Sequence, residues 1–457
     1  MRNRCLSRNV DRKPRGVVRL EPTSVLYRVK RWTIRGCRAS LVCLLVCTFA
    51  SPNPSMAYAV LAHEAIIDAA WETHIKPLLL DRFPGSTEEQ LSEAQAYAYG
   101  GSIIQDMGYY PYGSHFFSDL THYVRSGDFI QAMLHDAKDL DEYAFAIGAL
   151  AHYAADNDGH RMATNRAVPL LYPRLRKKYG DTVSYEQDPL AHTKTEFGFD
   201  VIEVAGESYA PDGYHDFIGF EVSQELLDRA FAQIYGMQLK DILLDEDKAL
   251  NSYRHAVSKT IPTATKVAWS LKKDEIEADL PGITRKKFRY NLSKSNYERE
   301  WGKNYQKPNF AQRFLAFLYV LIPKFGPLKV LQFKTPTAET QLMFRASFNA
   351  TLSQYRRRID ELRDGRLDLP NDNFDVGEAT GPGEYAMNDD AHAKLLDKLA
   401  ERKFVGMPQE LRDELLHFYS EPGAAYATKR DSKAWATVQA ELEQLRNAAP
   451  SVTSAAP

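Results

Sequence analysis

The histidines of this 457-residue chain are concentrated in one stretch of it. Eight of the twelve lie between His63 and His192, where an even spread would put about three or four. Imidazole binds divalent metals and transfers protons near neutral pH. This concentration therefore indicates a metal-binding or catalytic region.

Carboxylates accompany several of these histidines at helical spacing. His152 and Asp156 are four residues apart, so they share one face of a helix, and His160 follows one turn later. His192 and Glu196 repeat the pair. A single pair of this kind is more often a hydrogen-bonded pair than a metal site, but two pairs with a third histidine in line favour metal. Imidazole and carboxylate without cysteine predict zinc in a hydrolytic site.

Helical periodicity dominates the sequence that must position these residues. Apolar residues recur at intervals near 3.6 from about residue 58 to 267, without sustained alternation of period two. The stretch 143–155 is apolar around most of its circumference, which predicts a central buried helix. We predict an all-α fold with a catalytic helical bundle over 58–270. A mostly helical region of unassigned role follows over 271–447, and a disordered tail over 448–457.

Two segments of the C-terminal region stand out. Residues 314–322 are continuously apolar, but nine residues are too few to cross a membrane. A buried helix is the first interpretation, and peripheral contact with a lipid surface is the alternative. Residues 368–385 are rich in Asn, Asp, Gly and Pro, which predicts a loop.

The first 57 residues have the composition of a secretory signal peptide with a long basic n-region. They contain 12 Lys or Arg against two Asp or Glu, and an apolar run over 39–50 precedes small residues. An uncleaved membrane anchor is the alternative. All four cysteines lie in this segment, so the mature protein would have neither disulfides nor thiolate ligands. We therefore expect a secreted or periplasmic protein.

From 58 to about 203 the pattern resembles the zinc-dependent phospholipase C family. That family includes bacterial phosphatidylcholine-preferring enzymes, clostridial α-toxin and, more distantly, the N-terminal domain of glycosylphosphatidylinositol-specific phospholipase D. Besides the residues above, two segments carry the resemblance, Gly101-Ser-Ile-Ile-Gln-Asp106 and Gly113-Ser-His115-Phe-Phe. The resemblance implies an all-α bundle that holds up to three zinc ions. It also implies hydrolysis of phospholipid phosphodiesters by metal-activated water.

The resemblance further implies a set of metal ligands. They are Asp106, His115, His152 and Asp156 for one zinc, His160, His192 and Glu196 for a second, and His63, the shared Asp156 and the terminal amine and carbonyl of Tyr58 for a third. Asp106 would also be the catalytic base, with Glu64 a weaker candidate. His122 competes with His115, which stands closer to Asp106 than is usual in the family. His74 and His135 are expected to face solvent.

Two other functions stay open. A single-strand-specific zinc nuclease or phosphomonoesterase of the related superfamily would use the same metals, and Tyr109, Tyr110 and Tyr112 could stack on bases. The nucleases usually have His-x3-Asp at the last pair, whereas this chain has His-x3-Glu. The 400 residues after the presequence also carry 46 basic against 58 acidic groups, so no nucleic-acid partner is favoured. A non-catalytic zinc-binding bundle is the third hypothesis.

We expect the mature chain to begin at Tyr58. Cleavage after Ala57 satisfies the small-x-small rule and places the new N-terminal residue five positions before His63, as in the related nucleases. The intact mass of the exported protein checks this. A chain that begins at Val60, after the alternative cleavage at Ala59, would contradict it because that residue is too close to His63.

Overall fold

The computed structural model describes residues 60–204, 221–255, 271–278, 281–283, 332–420 and 431–448. All of them belong to one compact unit, Pro52–Pro457. Within these ranges the regular structure is helical, and extended backbone pairs only in an isolated bridge between Asn373 and Glu378. The predicted all-α fold is confirmed. None of the helices in the described ranges has the length and apolar character needed to cross a membrane.

The helices of the N-terminal part carry the predicted metal ligands. They are α1 (Val60–Ala70), α2 (Lys76–Arg82), α3 (Glu88–Gly101), α4 (His115–Tyr123), α5 (Ser126–Asp136), α6 (Leu140–Gly159), α7 (Asn165–Leu171), α8 (Pro173–Tyr179), α9 (Pro189–Phe199), α10 (Gln224–Tyr235) and α11 (Glu246–His255). A 3-10 segment, Ile104–Tyr109, precedes α4. Single π-helical turns continue α1, α6 and α9, and their bounds are Trp71–Ile75, His160–Thr164 and Asp200–Val204.

Helix α6 is the centre of the bundle, as its apolar circumference predicted. Every residue from Glu142 to Gly159 is buried. The helix begins earlier than expected, because the Asp139 side chain caps it by accepting a hydrogen bond from the Glu142 amide. Leu140 therefore belongs to α6, three residues before the predicted apolar stretch.

The described C-terminal helices pack on this bundle. They are α12 (Ala338–Arg363), α13 (Ala386–Glu401), α14 (Gln409–Phe418) and α15 (Ser432–Asn447). Along α6, the buried Tyr355 of α12 donates its hydroxyl to the Ile147 carbonyl at 3.0 Å. Near the end of α9, Phe344 stacks on Phe199 with ring centroids 4.8 Å apart. The predicted loop lies between α12 and α13. Residues 314–322 and most of the expected tail fall outside the described ranges.

Helices α3 and α6 cross at backbone contact through two glycines. A Cβ atom on Gly101 would overlap the Phe145 carbonyl oxygen, and one on Gly148 would overlap the Ala98 carbonyl oxygen. This close crossing brings the C-terminal end of α3 to α6 one turn beyond Gly148. There the Nδ1 atom of His152 lies 3.0 Å from the Ser102 carbonyl oxygen. The crossing thus sets the position of a predicted metal ligand.

Replacing Gly148 by alanine should destabilise the protein by about 1–3 kcal/mol, because overpacking outweighs the better helix propensity of alanine. Urea unfolding measures the effect. The control is Gly381→Ala, whose new Cβ would meet only the Glu384 side chain at 3.4 Å. We expect that variant to stay within about 0.5 kcal/mol of the parent. Equal stability of the two variants would refute the close crossing.

Candidate metal centre

Three groups of ligand-type side chains lie inside the bundle. In each group, one ligand atom per residue lies within 4.8 Å of the others. The groups are His63, His152 and Asp156; Asp106, His122 and His152; and His160, His192 and Glu196. All eight side chains are buried, with at most 3% of the residue exposed. Ionisable side chains buried this deeply in a helical core need hydrogen bonds, opposite charges or metal ions as partners.

The first two groups form one continuous cluster around Asp156 of α6. The Asp156 Oδ2 atom lies 3.2 Å from His152 Nε2 and 3.5 Å from His122 Nε2. Its Oδ1 atom lies 3.5 Å from His63 Nε2, which α1 supplies. Asp106, from the 3-10 segment, completes the cluster with its Oδ1 atom 3.4 Å from His122 Nε2. Four separate elements thus contribute to one cluster.

The third group joins the end of α6 to α9. His192 and Glu196 lie one turn apart on α9, with His192 Nδ1 2.6 Å from Glu196 Oε1. His160, the first residue of the π-helical turn after α6, places Nε2 3.8 Å from the same oxygen. The i, i+4 spacing in the sequence therefore does bring these three residues together. π-helical turns are frequent at functional sites.

Four of the histidines have an oxygen atom within 3.0 Å of the ring nitrogen that faces away from the ligand group, and for all but His160 the contact also has hydrogen-bond geometry. In each, one ring nitrogen faces the ligand group and the other contacts the acceptor, which fixes the tautomer and the ring orientation. The pairs are His122 Nδ1 with Ser118 O (2.8 Å), His152 Nδ1 with Ser102 O (3.0 Å), His160 Nδ1 with Asp375 Oδ1 (2.9 Å), and His192 Nε2 with Asn165 Oδ1 (2.8 Å). This is the usual support of metal-binding histidines in proteins.

The carboxylates of the centre have no such support. Within the described part of the chain, neither oxygen of Asp106, Asp156 or Glu196 accepts a hydrogen bond of acceptable geometry. Burying unpaired carboxylates costs several kcal/mol each, and a divalent cation would offset that cost. Neutral imidazole with carboxylate is a donor set that zinc accepts. The residues present therefore fit the ion that the sequence predicted.

The pKa shifts follow from burial and from the neighbouring charges. Burial and nearby imidazoles lower the pKa of His63 to about 3, so this ring is in the neutral form that binds metal. Burial also raises the pKa of Asp106 and of Glu196. Burial acts against the charged form of His122, but Asp106 and Asp156 outweigh it and raise its pKa to about 10. A cation between these carboxylates would displace that proton.

The structure places His122, and not His115, beside Asp106 and His152, so the geometry favours His122 of the two candidates. Both lie on α4 and, seven residues apart, on nearly the same face. Their positions along the axis of α4 differ by about 10 Å. His115 is the first residue of the helix, half-buried, with its ring against Tyr109 at 5.3 Å between centroids. His122 lies two turns deeper, within reach of Asp106.

The other predicted residues take different positions. Tyr58 lies outside the described residues. Glu64 is buried on α1, but burial and the charges of Asp68 and Asp200, not the ligand groups, raise its pKa. His135 is exposed, as expected, and His74 is partly exposed.

Two residues near the centre were not predicted, and both come from the loop between α12 and α13. Phe374 packs its ring against His122, with centroids 5.3 Å apart, and its amide donates to the His122 carbonyl at 3.2 Å. Asp375 contacts His160. The sequence offered only an Asp-rich and Asn-rich loop at this point. Its contact with residues more than 200 positions away has no local signal.

An all-α bundle with three buried groups of histidines and carboxylates, and no cysteine among them, has the donor set that metal-dependent hydrolases use. Residues 62–243 match the family model described as zinc dependent phospholipase C. This match agrees with the resemblance to the zinc-dependent phospholipase C family that the motifs indicated. No curated protein and no solved structure matches the chain. The matched segment contains all eight residues of the three groups, whereas Asp375 lies outside it.

Replacing His122 or His115 by alanine distinguishes the two histidines directly. The His122→Ala variant should lose about one zinc per chain, because it removes a ligand atom from the cluster around Asp156. The His115→Ala variant, on the same helix, should keep the parent zinc content. Elemental analysis of both proteins after dialysis measures this. Loss of zinc from the His115 variant alone would restore our first assignment.

Proposed function

We propose that this protein is a zinc-dependent phospholipase C that hydrolyses the glycerol-side phosphodiester bond of phospholipids with up to three zinc ions. The observation that carries the proposal is the convergence of eight buried ligand-type side chains on one centre in a segment that matches that family's model. The family supports hydrolysis of a phosphodiester. The bond cleaved, the head group and the number of zinc ions are parts of our proposal.

The chain's own residues have distinct parts in this reaction. Zinc, when bound, would act as a Lewis acid and make water a stronger nucleophile near neutral pH. Asp106 would accept the proton of the attacking water, because its carboxylate lies among the ligand-type side chains and, within the described residues, accepts no well-aligned hydrogen bond. The eight side chains of the three groups would hold the ions, and hydrogen bonds to Ser118, Ser102 and Asn165 behind the rings of His122, His152 and His192 would fix their orientation.

Export and cleavage at Ala57 are also part of the proposal. Asp200 accepts hydrogen bonds from the amides of Leu61 and Ala62 at 2.9 and 3.1 Å, and so fixes the first turn of α1. This turn carries His63. A mature N-terminus at Tyr58 would then start close to the His63 group, which supports its amine as a further ligand. Peripheral lipid contact through 314–322 stays a proposal, since these residues lie outside the described ranges.

The nuclease alternative gains no support from the tyrosines that suggested it. Tyr109 packs near His122, with ring centroids 6.1 Å apart, whereas Tyr110 packs against Tyr253 of α11. Tyr112 is 56% exposed. The three rings therefore do not form one stacking surface for bases.

Short-chain phosphatidylcholine tests the proposal. The chain from Tyr58 onward, supplied with zinc, should release phosphocholine and diacylglycerol, and a chelator should abolish the release. Asp106→Asn should lower kcat by about 100-fold or more because it removes the base. His115→Ala, a nearby change outside the centre, should keep most of the activity. Product analysis by mass spectrometry measures all three.

Other products would contradict the proposal in defined ways. Phosphatidic acid would show that the ester bond on the head-group side is cleaved. Turnover of single-stranded nucleic acid without turnover of lipid would favour the nuclease. A zinc-loaded protein without activity on either substrate would favour the non-catalytic bundle.

A further inference from the structure

Asp375 is a buried carboxylate whose polar contacts converge on the third ligand group. It is 1% exposed, and its Oδ1 atom lies 2.9 Å from His160 Nδ1. Its Oδ2 atom accepts hydrogen bonds from the hydroxyls of Tyr123, at 2.8 Å, and Tyr385. The carboxylate is therefore held on both sides and has one oxygen directed at the imidazole.

Asp375 is also connected to His192, the other histidine of the same group, through Asn165. The side-chain amide of Asn165 donates to the Asp375 carbonyl oxygen at 2.7 Å. The oxygen of that amide contacts His192 Nε2 at 2.8 Å. One residue thus supports His160 directly and His192 through Asn165, and in both rings the remaining nitrogen faces Glu196.

The loop that carries Asp375 is anchored to the elements of the bundle. The Asp372 side chain accepts a hydrogen bond from the Tyr153 hydroxyl at 2.8 Å, and its carbonyl accepts one from Ser126 at 2.6 Å. Gly377, at φ +75°, lies so close to the Asn157 carbonyl oxygen that a Cβ would overlap it. These contacts fix the backbone on both sides of Asp375.

We propose that Asp375 is a positioning residue for the metal ion held by His160, His192 and Glu196. By accepting the Nδ1 proton of His160, the carboxylate fixes the tautomer that presents Nε2 to the ion and makes that nitrogen a better donor. The C-terminal region, beyond the segment that matches the family, thereby completes one metal site. This inference rests on the proposed zinc centre, but it is independent of which phosphodiester is cleaved.

The test is the zinc affinity of the full mature chain with Asp375→Asn, measured by competition with a chromophoric chelator. We expect one zinc to bind about 10- to 100-fold more weakly and the others to keep their affinity. The cobalt-substituted variant should show a changed visible absorption from a single site. Tyr385→Phe keeps the Asp375 carboxylate but removes one hydrogen bond to it. This variant should weaken the binding of the same zinc to a smaller extent.

The matched control is Asp372→Asn. Asp372 is in the same loop and bonds Tyr153, but it contacts no residue of the three ligand groups, so the variant should keep the parent zinc affinities and cobalt spectrum. Unchanged zinc affinities in Asp375→Asn would overturn the inference. An equal loss in both variants would also overturn it, because the loop would then act only through stability. A parent protein that binds no zinc would overturn the proposed function as well.

Discussion

The cost of burying carboxylates and imidazoles together determines much of this structure. Asp106, Asp156 and Glu196 are essentially inaccessible to water, yet none of their oxygens accepts a well-aligned hydrogen bond within the described residues. Isolated ions in such surroundings cost several kcal/mol each. The helices that hold them must therefore gain enough from apolar packing to tolerate the apo centre, or gain directly from bound cations.

Helix α6 supplies both the apolar packing and part of the ligand set. It is buried along nearly its whole length, and His152 and Asp156 on it belong to the cluster shared by two ligand groups. Glycine at the crossing with α3 brings the two backbones into contact, and the carbonyl of Ser102 then orients His152. The same packing that stabilises the core thus sets the direction of a ligand. Positions in this helix are constrained by geometry as much as by hydrophobicity.

The sequence predicted those parts of the centre in which the interacting residues are close together along the chain. The pairs at 152 and 156 and at 192 and 196 could be recognised because helical periodicity is local. The choice between His115 and His122 could not be made from the sequence, because both occupy one helix face and only the depth along α4, set by packing against the 3-10 segment, separates them. The all-α fold followed from periodicity, but the start of α6 depended on the Asp139 cap. Asp375 depends on a contact between distant segments, which no spacing rule describes.

The oxygens behind the ligand-type histidines come partly from the segment that matches the family model and partly from the C-terminal region. His122 and His152 are oriented by carbonyls at 118 and 102, which belong to the matched segment. The oxygen 2.9 Å from His160 Nδ1 belongs to Asp375, which lies outside that segment. A region added only for solubility or for binding a partner would have no reason to bury a carboxylate behind a ligand-type histidine. The loop that carries Asp375 is also bonded to Tyr153 and Ser126, so the same loop contacts both the core of the bundle and the third ligand group.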